Sequence, residues 1–139
     1  MQWAHGPRWQ LHAPGGEAWF GFEGVRAVEG TSDEVLLVPL HGHTRGHCGV
    51  AVRTAAGWLL HCGDAYFFHG EVDAEPRCPA GLSAYQRLVA IDNAARLDNQ
   101  RRLRALATER RGEVTLFCAH DPTELEREAN GGAPDARAV

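Results

Sequence analysis

The chain has 139 residues, a length that suits one domain with a modest hydrophobic core. Its net charge of −4 excludes the strongly basic surface that nucleic-acid binding needs. All 14 of its positively charged residues are arginine, so a Schiff-base lysine and a Walker-type phosphate loop are excluded as well.

The N-terminal third predicts short strands. Residues 3–30 are rich in aromatic side chains and predict a β-hairpin that turns at Pro14-Gly15-Gly16. Val25–Val28 predicts a further short strand, and Gly30–Asp33 predicts a loop. The continuous apolar run Val35–Pro39 predicts a central strand that is covered on both faces.

Two more strands and an irregular segment follow. Gly49–Arg53 and Trp58–His61 predict a hairpin that turns through Ala55-Ala56-Gly57. Residues 65–79 contain two prolines and predict irregular structure.

The C-terminal half predicts helices and a last strand. Ser83 and Gln86 fit a capping box, after which the apolar positions Leu88, Ile91 and Ala95 repeat at helical spacing. One long helix and two consecutive helices fit the pattern equally, because Asp and Asn residues interrupt it. Its arginines predict a solvated face; they are Arg96, Arg101, Arg102 and Arg104. We expect a strand at Val114–Cys118, a helix at Thr123–Ala129 and a disordered tail at 130–139.

Three polar stretches stand directly after apolar strands. Gly42–His47 follows the first of these strands, Gly63-Asp64 the second, and Ala119-His120-Asp121 the third. Ligands at the ends of neighbouring strands can converge, and two imidazoles with a carboxylate suit zinc or a similar divalent ion. The opposing interpretation is ordinary polar residues at strand ends and turns.

These stretches resemble the metallo-β-lactamase-fold superfamily of metal-dependent hydrolases. The resemblance implies that His47 and His120 are metal ligands and that Asp64 bridges two metal ions. In this resemblance His43 orients the loop Gly42–His47, the ligand loop, and Thr44 forms local hydrogen bonds within it. It also implies an α/β fold, the αβ/βα sandwich of that superfamily.

The implied activity is hydrolysis. Two zinc ions, with iron or manganese as alternatives, would supply a metal-bound hydroxide that attacks an ester, thioester, lactone, amide or phosphoester of a small-molecule substrate. The superfamily's His-x-His-x-Asp-His motif is absent from this chain. We therefore interpret residues 1–129 as the C-terminal part of such a domain, lacking its N-terminal half.

Two other functions stay open: a catalytically inactive remnant or interaction domain, and an iron-dependent oxidoreductase on the same fold. A partner is expected where the half-domain is incomplete, either a missing N-terminal segment or a second copy of the chain.

The chain is expected to be cytoplasmic, with no membrane partner, because no apolar run reaches membrane-helix length. Its cysteines lack Cys-x-x-Cys spacing and indicate small buried thiols, although a metal-ligand role for one of them stays open; they are Cys48, Cys62, Cys78 and Cys118.

Overall fold

The computed structural model describes residues 4–9, 12 and 15–131. This part of the chain forms one six-stranded sheet whose spatial order follows the sequence. The strands are β1 Glu17–Trp19, β2 Phe22–Ala27, β3 Val35–Pro39, β4 Cys48–Thr54, β5 Gly57–His61 and β6 Val114–Phe117. The helices are α1 Ala80–Val89, α2 Asn93–Glu109 and α3 Pro122–Ala129, with a 3₁₀ turn at His69–Glu71.

The sheet is antiparallel except for its last pair. β5 and β6 run parallel, with Leu60 opposite Leu116, and α1 and α2 form the crossover between them. Because parallel strands end at the same edge, the segments that follow β5 and β6 meet there. The backbone N–H of Ala119 donates to the carbonyl of Gly63 at 3.0 Å and joins those segments.

The core lies on one face of the sheet. Ala51 pairs with Leu60, which in turn pairs with Leu116, and all three side chains are buried. Leu103 and Leu106 of α2 belong to the same core cluster, so α2 covers this face.

The opposite face of the sheet is less covered in the described residues. Val38 of β3 is fully buried, whereas Leu37 and Pro39 are only partly buried. The prediction that β3 is covered on both faces is therefore wrong for the described part of the chain. The run is uniformly apolar, but only its core-facing side chains are packed.

The predicted central strands are confirmed, and the first turn is not. β4 and β5 form the expected hairpin, joined by Ala55-Ala56. The N-terminal hairpin turns at Phe20-Gly21, both with positive φ, because this pair can adopt the backbone twist that the turn needs. Gly15 and Gly16 precede β1 without forming its turn, and Pro14 lies outside the described residues.

The predicted helical region consists of two consecutive helices, α1 and α2, whose first residues and exposed side chains differ from the prediction. α1 begins at Ala80, so Ser83 is not its N-cap, and α2 is capped by Asp92, whose Oδ1 accepts from Ala95 N–H at 3.0 Å. Leu88 and Ile91 are 82% and 63% exposed, although their spacing predicted a packed face.

The predicted solvated arginine face is wrong at one position. Arg96 is only 4% exposed and bonds to the side chains of Gln86 and Asn93. Hydrogen-bonding partners from two helices permit this buried guanidinium.

The C-terminal elements agree with the prediction. β6 ends at Phe117, and α3 begins at Pro122 behind the N-cap Asp121. Asn130 and Gly131 form a turn, and the predicted disordered tail otherwise lies outside the described residues. No helix among the described residues is long and apolar enough to cross a membrane.

Candidate metal centre

His47 is held in one tautomer by two backbone groups. Its Nδ1 lies 2.9 Å from the carbonyl oxygen of Leu40, which can only accept, so Nδ1 carries the proton. Its Nε2 therefore has the lone pair, and this accepts the backbone N–H of Asp64 at 2.9 Å. Burial lowers the pKa of the His47 imidazole despite the opposing effects of the Leu40 carbonyl and Asp64. His47 is thus a neutral ring with an oriented Nε2.

Asp64 is the centre of the cluster. Its Oδ1 lies 2.8 Å from Nε2 of His120, and its Oδ2 lies 3.5 Å from Nε2 of His43. Asp64 therefore contacts both proposed ligand histidines, His120 through its carboxylate and His47 through its backbone N–H. The common edge of β5 and β6 brings Asp64 and His120 together. His120 is the most exposed of them, at 53% of its side-chain surface.

His43 and Thr44 fix the loop that contains His47 through their backbone carbonyls. The backbone carbonyl of Thr44 accepts from the N–H of Gly42 at 3.1 Å, which closes the ligand loop locally. The carbonyl of His43 accepts from Ile91 N–H at 3.1 Å and ties this loop to the segment between α1 and α2. His43 and Thr44 are therefore placed as elements of the loop that presents His47.

Gly63 permits the close approach of the loop after β5. Its φ of +55° is in the left-handed region, and a Cβ built on it would lie 2.6 Å from Nε2 of His47. Only glycine leaves room for the His47 ring at this position.

Phe67 forms the apolar side of the cluster. Its ring centroid lies 4.4 Å from that of His120 and 6.0 Å from that of His43. Because Phe67 is only 7% exposed, its ring fixes one side of both imidazoles. Phe67 belongs to no motif in the sequence, because a phenylalanine in an irregular segment has no pattern that marks it.

A buried carboxylate holds Phe67 from behind. Oε2 of Glu71 accepts from Phe67 N–H at 2.9 Å and from Phe68 N–H at 3.2 Å. The side-chain amides of Gln86 in α1 and Gln100 in α2 donate to Oε1 at 3.0 and 3.1 Å. Glu71 therefore connects the wall of the cluster to both crossover helices.

A second buried carboxylate, that of Asp121, directly follows His120 in the sequence. Asp121 caps α3 through Thr123 N–H at 2.9 Å, and its Oδ2 also lies 2.8 Å from Nδ1 of His69. Burial raises the pKa of Asp121, but the backbone and ring N–H groups of His69 outweigh it, so the pKa is lowered overall. Asp121 thus links the start of α3 to the segment that carries Phe67.

The two most buried cysteines pack beneath the cluster. Cys62 and Cys118 follow the paired strands, and burial raises the pKa of the Cys118 thiol to about 12. Glu124 lies among them: it accepts from Tyr66 O–H at 2.9 Å and Cys118 N–H at 2.8 Å, and burial raises its pKa. All four cysteines are free. Cys62 and Cys118 are buried as predicted, whereas Cys48 is exposed and Cys78 is half-buried, so the prediction of buried thiols is wrong at these two positions.

The donor types fit a divalent cation, although the cluster is not a closed cage. Two imidazole nitrogens and a carboxylate are ordinary ligands of zinc, and a carbonyl-bonded Nδ1 is the usual support of a ligating histidine. Among the described residues, no group of three or more His, Cys, Asp or Glu side chains is arranged so that it could hold a metal ion as it stands. The Nε2 atom of His47 faces the Asp64 N–H, so metal binding requires that contact to open.

The chain is similar to mycobacterial proteins over most of its length. It is 40% identical over 121 residues to proteins named "Probable metallo-hydrolase" in Mycobacterium tuberculosis and Mycobacterium bovis. The match covers 87% of this chain and 39% of each relative, so the chain spans about two fifths of the length of these proteins. No model of a known protein family matches the chain.

Solved structures show the same fold. An N-acyl homoserine lactone hydrolase, with N-hexanoyl-L-homoserine at its catalytic metal center, matches with a TM-score of 0.51 at 20% identity. A mutant of B. thuringiensis AiiA with N-decanoyl-L-homoserine bound gives the same values, and each match covers 69% of this chain and 34% of that chain. The predicted αβ/βα sandwich is confirmed as the fold, of which this chain provides a part. The chain therefore has part of the metallo-β-lactamase fold and is related in sequence to proteins that are named as metallo-hydrolases.

Proposed function

We propose that this chain contributes His47, Asp64 and His120 as ligands to the metal centre of a hydrolase that acts on a small-molecule substrate. The observation that carries the proposal is the placement of Asp64 against both imidazoles, 2.8 Å from His120 and 2.9 Å, through its N–H, from His47. Residues far apart in sequence meet here at one sheet edge. Zinc is the proposed metal, with two ions in the complete site, and Asp64 would be one of its ligands.

Each side chain has a defined task in this proposal. His47 binds through Nε2, because its Nδ1–H is held by the Leu40 carbonyl. His43 positions Asp64, whose Oδ2 it faces at 3.5 Å, and Thr44 closes the loop through its carbonyl. Phe67 shields the imidazole of His120 from water on one side.

The proposed reaction is hydrolysis of an ester, thioester, lactone, amide or phosphoester. When bound, a divalent metal lowers the pKa of water and polarises a carbonyl or phosphoryl oxygen. His47, Asp64 and His120 would hold and orient that metal. The relatives are longer than the matched region, so we propose that full activity needs further ligands from an additional segment or from a second copy of this chain.

Zinc affinity and stoichiometry test the site. We expect the unmodified chain to bind zinc, and His47→Ala and His120→Ala each to weaken binding by at least about tenfold, since each removes a ligand. His61→Ala is the matched control, because its ring packs against Phe117 instead of Asp64. Affinity and stoichiometry unchanged in both ligand variants would remove the assignment.

Three further outcomes distinguish the alternatives. An unmodified chain that binds no metal would favour the inactive remnant or interaction domain. Iron in preference to zinc or manganese in elemental analysis would favour the oxidoreductase. Turnover of an aryl ester, a lactone or a phosphodiester with zinc restored would identify the bond that is cleaved.

We also propose a cytoplasmic location. Its support is the presence of four cysteines that are all free thiols in the structure. Proteins in oxidising compartments commonly pair their cysteines. Fractionation of cells that produce the protein tests this proposal.

A further inference from the structure

A large cavity lies beside the ligand loop and is separate from the contacts of Asp64. It has a volume of about 870 Å³ and is lined by parts of β2, β3, the ligand loop and α2. β2 pairs with β3 at Arg26 and Ala27, opposite Leu37 and Leu36, and the cavity opens beside the remainder of β3. The cavity therefore lies where β2 and β3 are no longer paired.

Three guanidinium groups from different elements line this cavity. Arg26 belongs to β2, Arg45 to the ligand loop and Arg102 to α2. Two carboxylates, Glu23 and Asp98, also line it. The charge of Asp98 is shared, because Arg101 contacts it at 2.8 Å and Arg102 at 3.2 Å. The cavity wall is thus positive on balance.

Arg45 is the cation that is available to a ligand. Within the described part of the chain its side chain has no hydrogen bond or ion pair, and it is exposed. By contrast, Nη2 of Arg26 donates to the carbonyl of Gly15 at 3.1 Å, and Arg102 pairs with Asp98. Arg45 belongs to the same loop as His43 and His47, two residues from each, and neither of these histidines lines the cavity.

Part of the remaining lining is apolar, although His12, His41 and Asn99 also line the cavity. Leu37 and Pro39 of β3 and Ala95 of α2 provide this surface. A small inorganic anion would leave it uncovered, whereas a carboxylate on a short hydrocarbon stem would cover it. The combination of a free guanidinium and an apolar wall selects an amphipathic anion.

We propose that this cavity binds the carboxylate of a small amphipathic acid, with Arg45 as the charged contact and Leu37, Pro39 and Ala95 against its hydrocarbon stem. Within the proposed hydrolase, on which this part of the inference rests, that carboxylate is the acidic group of the substrate. Arg45 is then a specificity-determining residue, because bidentate guanidinium–carboxylate pairing favours acidic over neutral substrates.

Calorimetric titration of the metal-free chain with hexanoate, in the presence of a chelator, tests the cavity. We expect saturable binding that Arg45→Gln weakens about tenfold, the effect of losing one charge-assisted contact. Arg111→Gln is the matched control: Arg111 is exposed in the turn after α2 and does not line the cavity. Added salt should weaken binding to the unmodified chain more than to Arg45→Gln, which a purely structural effect would not produce.

The cavity and the metal centre can be tested separately. His120→Ala should lose zinc affinity and keep its hexanoate affinity, so failure of the metal assignment leaves the cavity measurable. Equal hexanoate affinity in the unmodified chain and in Arg45→Gln, or no saturable binding to the unmodified chain, would overturn the proposal. Tighter binding of inorganic phosphate than of hexanoate would also overturn it, because the apolar wall would then have no role.

Discussion

Replacement of Gly63 by alanine tests the geometry of the metal centre most directly. The residue has a φ of +55°, and the added Cβ would lie 2.6 Å from Nε2 and 3.2 Å from Cε1 of His47. Those distances are shorter than van der Waals contact, and the atoms involved belong to a rigid ring. His47 or the backbone of Gly63 must therefore move, and the 2.9 Å contact between His47 and Asp64 N–H must open.

The expected loss of stability has two parts. A non-glycine residue in the left-handed region costs about 1–2 kcal/mol. Loss of the hydrogen bond between Asp64 N–H and His47 adds about 1 kcal/mol. Gly63→Ala should therefore lower the free energy of unfolding by about 2–3 kcal/mol, and it should also weaken zinc binding because His47 is displaced.

Gly112→Ala separates strain from the clash. Gly112 also has a positive φ, +95°, but a Cβ built there meets no atom within 4 Å. Urea denaturation should show the strain alone for Gly112→Ala, about 1–2 kcal/mol, with zinc affinity unchanged. The reasoning is refuted if the two variants lose equal stability and bind zinc as the unmodified chain does.

Two further predictions concern the buried carboxylates. Glu71→Ala removes the acceptor of two backbone N–H groups and of two glutamine side-chain amides. Urea denaturation should therefore show that the free energy of unfolding falls by about 3–5 kcal/mol. The control Glu126→Ala, at an exposed position, should change it by no more than about 0.5 kcal/mol. Burial raises the pKa of Glu124 above its ordinary 4.5, so the folded state binds this proton more tightly than the unfolded state. The free energy of unfolding of the unmodified chain, relative to that of Glu124→Gln, should therefore fall as the pH rises from 4.5 through the pKa of Glu124 in the folded state. Denaturation at several pH values in the presence of a chelator measures this difference. A difference that does not depend on pH, or that grows with pH, would contradict the prediction.

The positions of the three proposed ligands were predictable because they depend on simple strand geometry. Val35–Pro39, Trp58–His61 and Val114–Phe117 are strongly apolar runs, and each has its polar residue just beyond the end. Once β5 and β6 are parallel, Asp64 and His120 must lie at one edge. Local pattern and one topological assumption were sufficient.

The support behind the site was not predictable from local pattern. Arg96 was predicted on a solvated face, Gln86 in a capping box, and Glu71 carries no motif. All three are buried, because they satisfy one another across elements distant in sequence. Leu88 gives the opposite error: its helical spacing indicates burial, but α1 presents it to solvent. The spacing of apolar residues shows which positions share one face of a helix, but it does not show whether another element packs against that face.

The parallel pairing of β5 with β6 has a kinetic consequence. Residues 62–113 separate these strands, so the entropy cost of closing a long loop opposes the contact between His120 and Asp64. Contacts of such high sequence separation form slowly and late. Metal affinity should therefore be acquired only at the end of refolding, after the crossover helices have docked, and a nascent chain that ends before β6 would have no such centre.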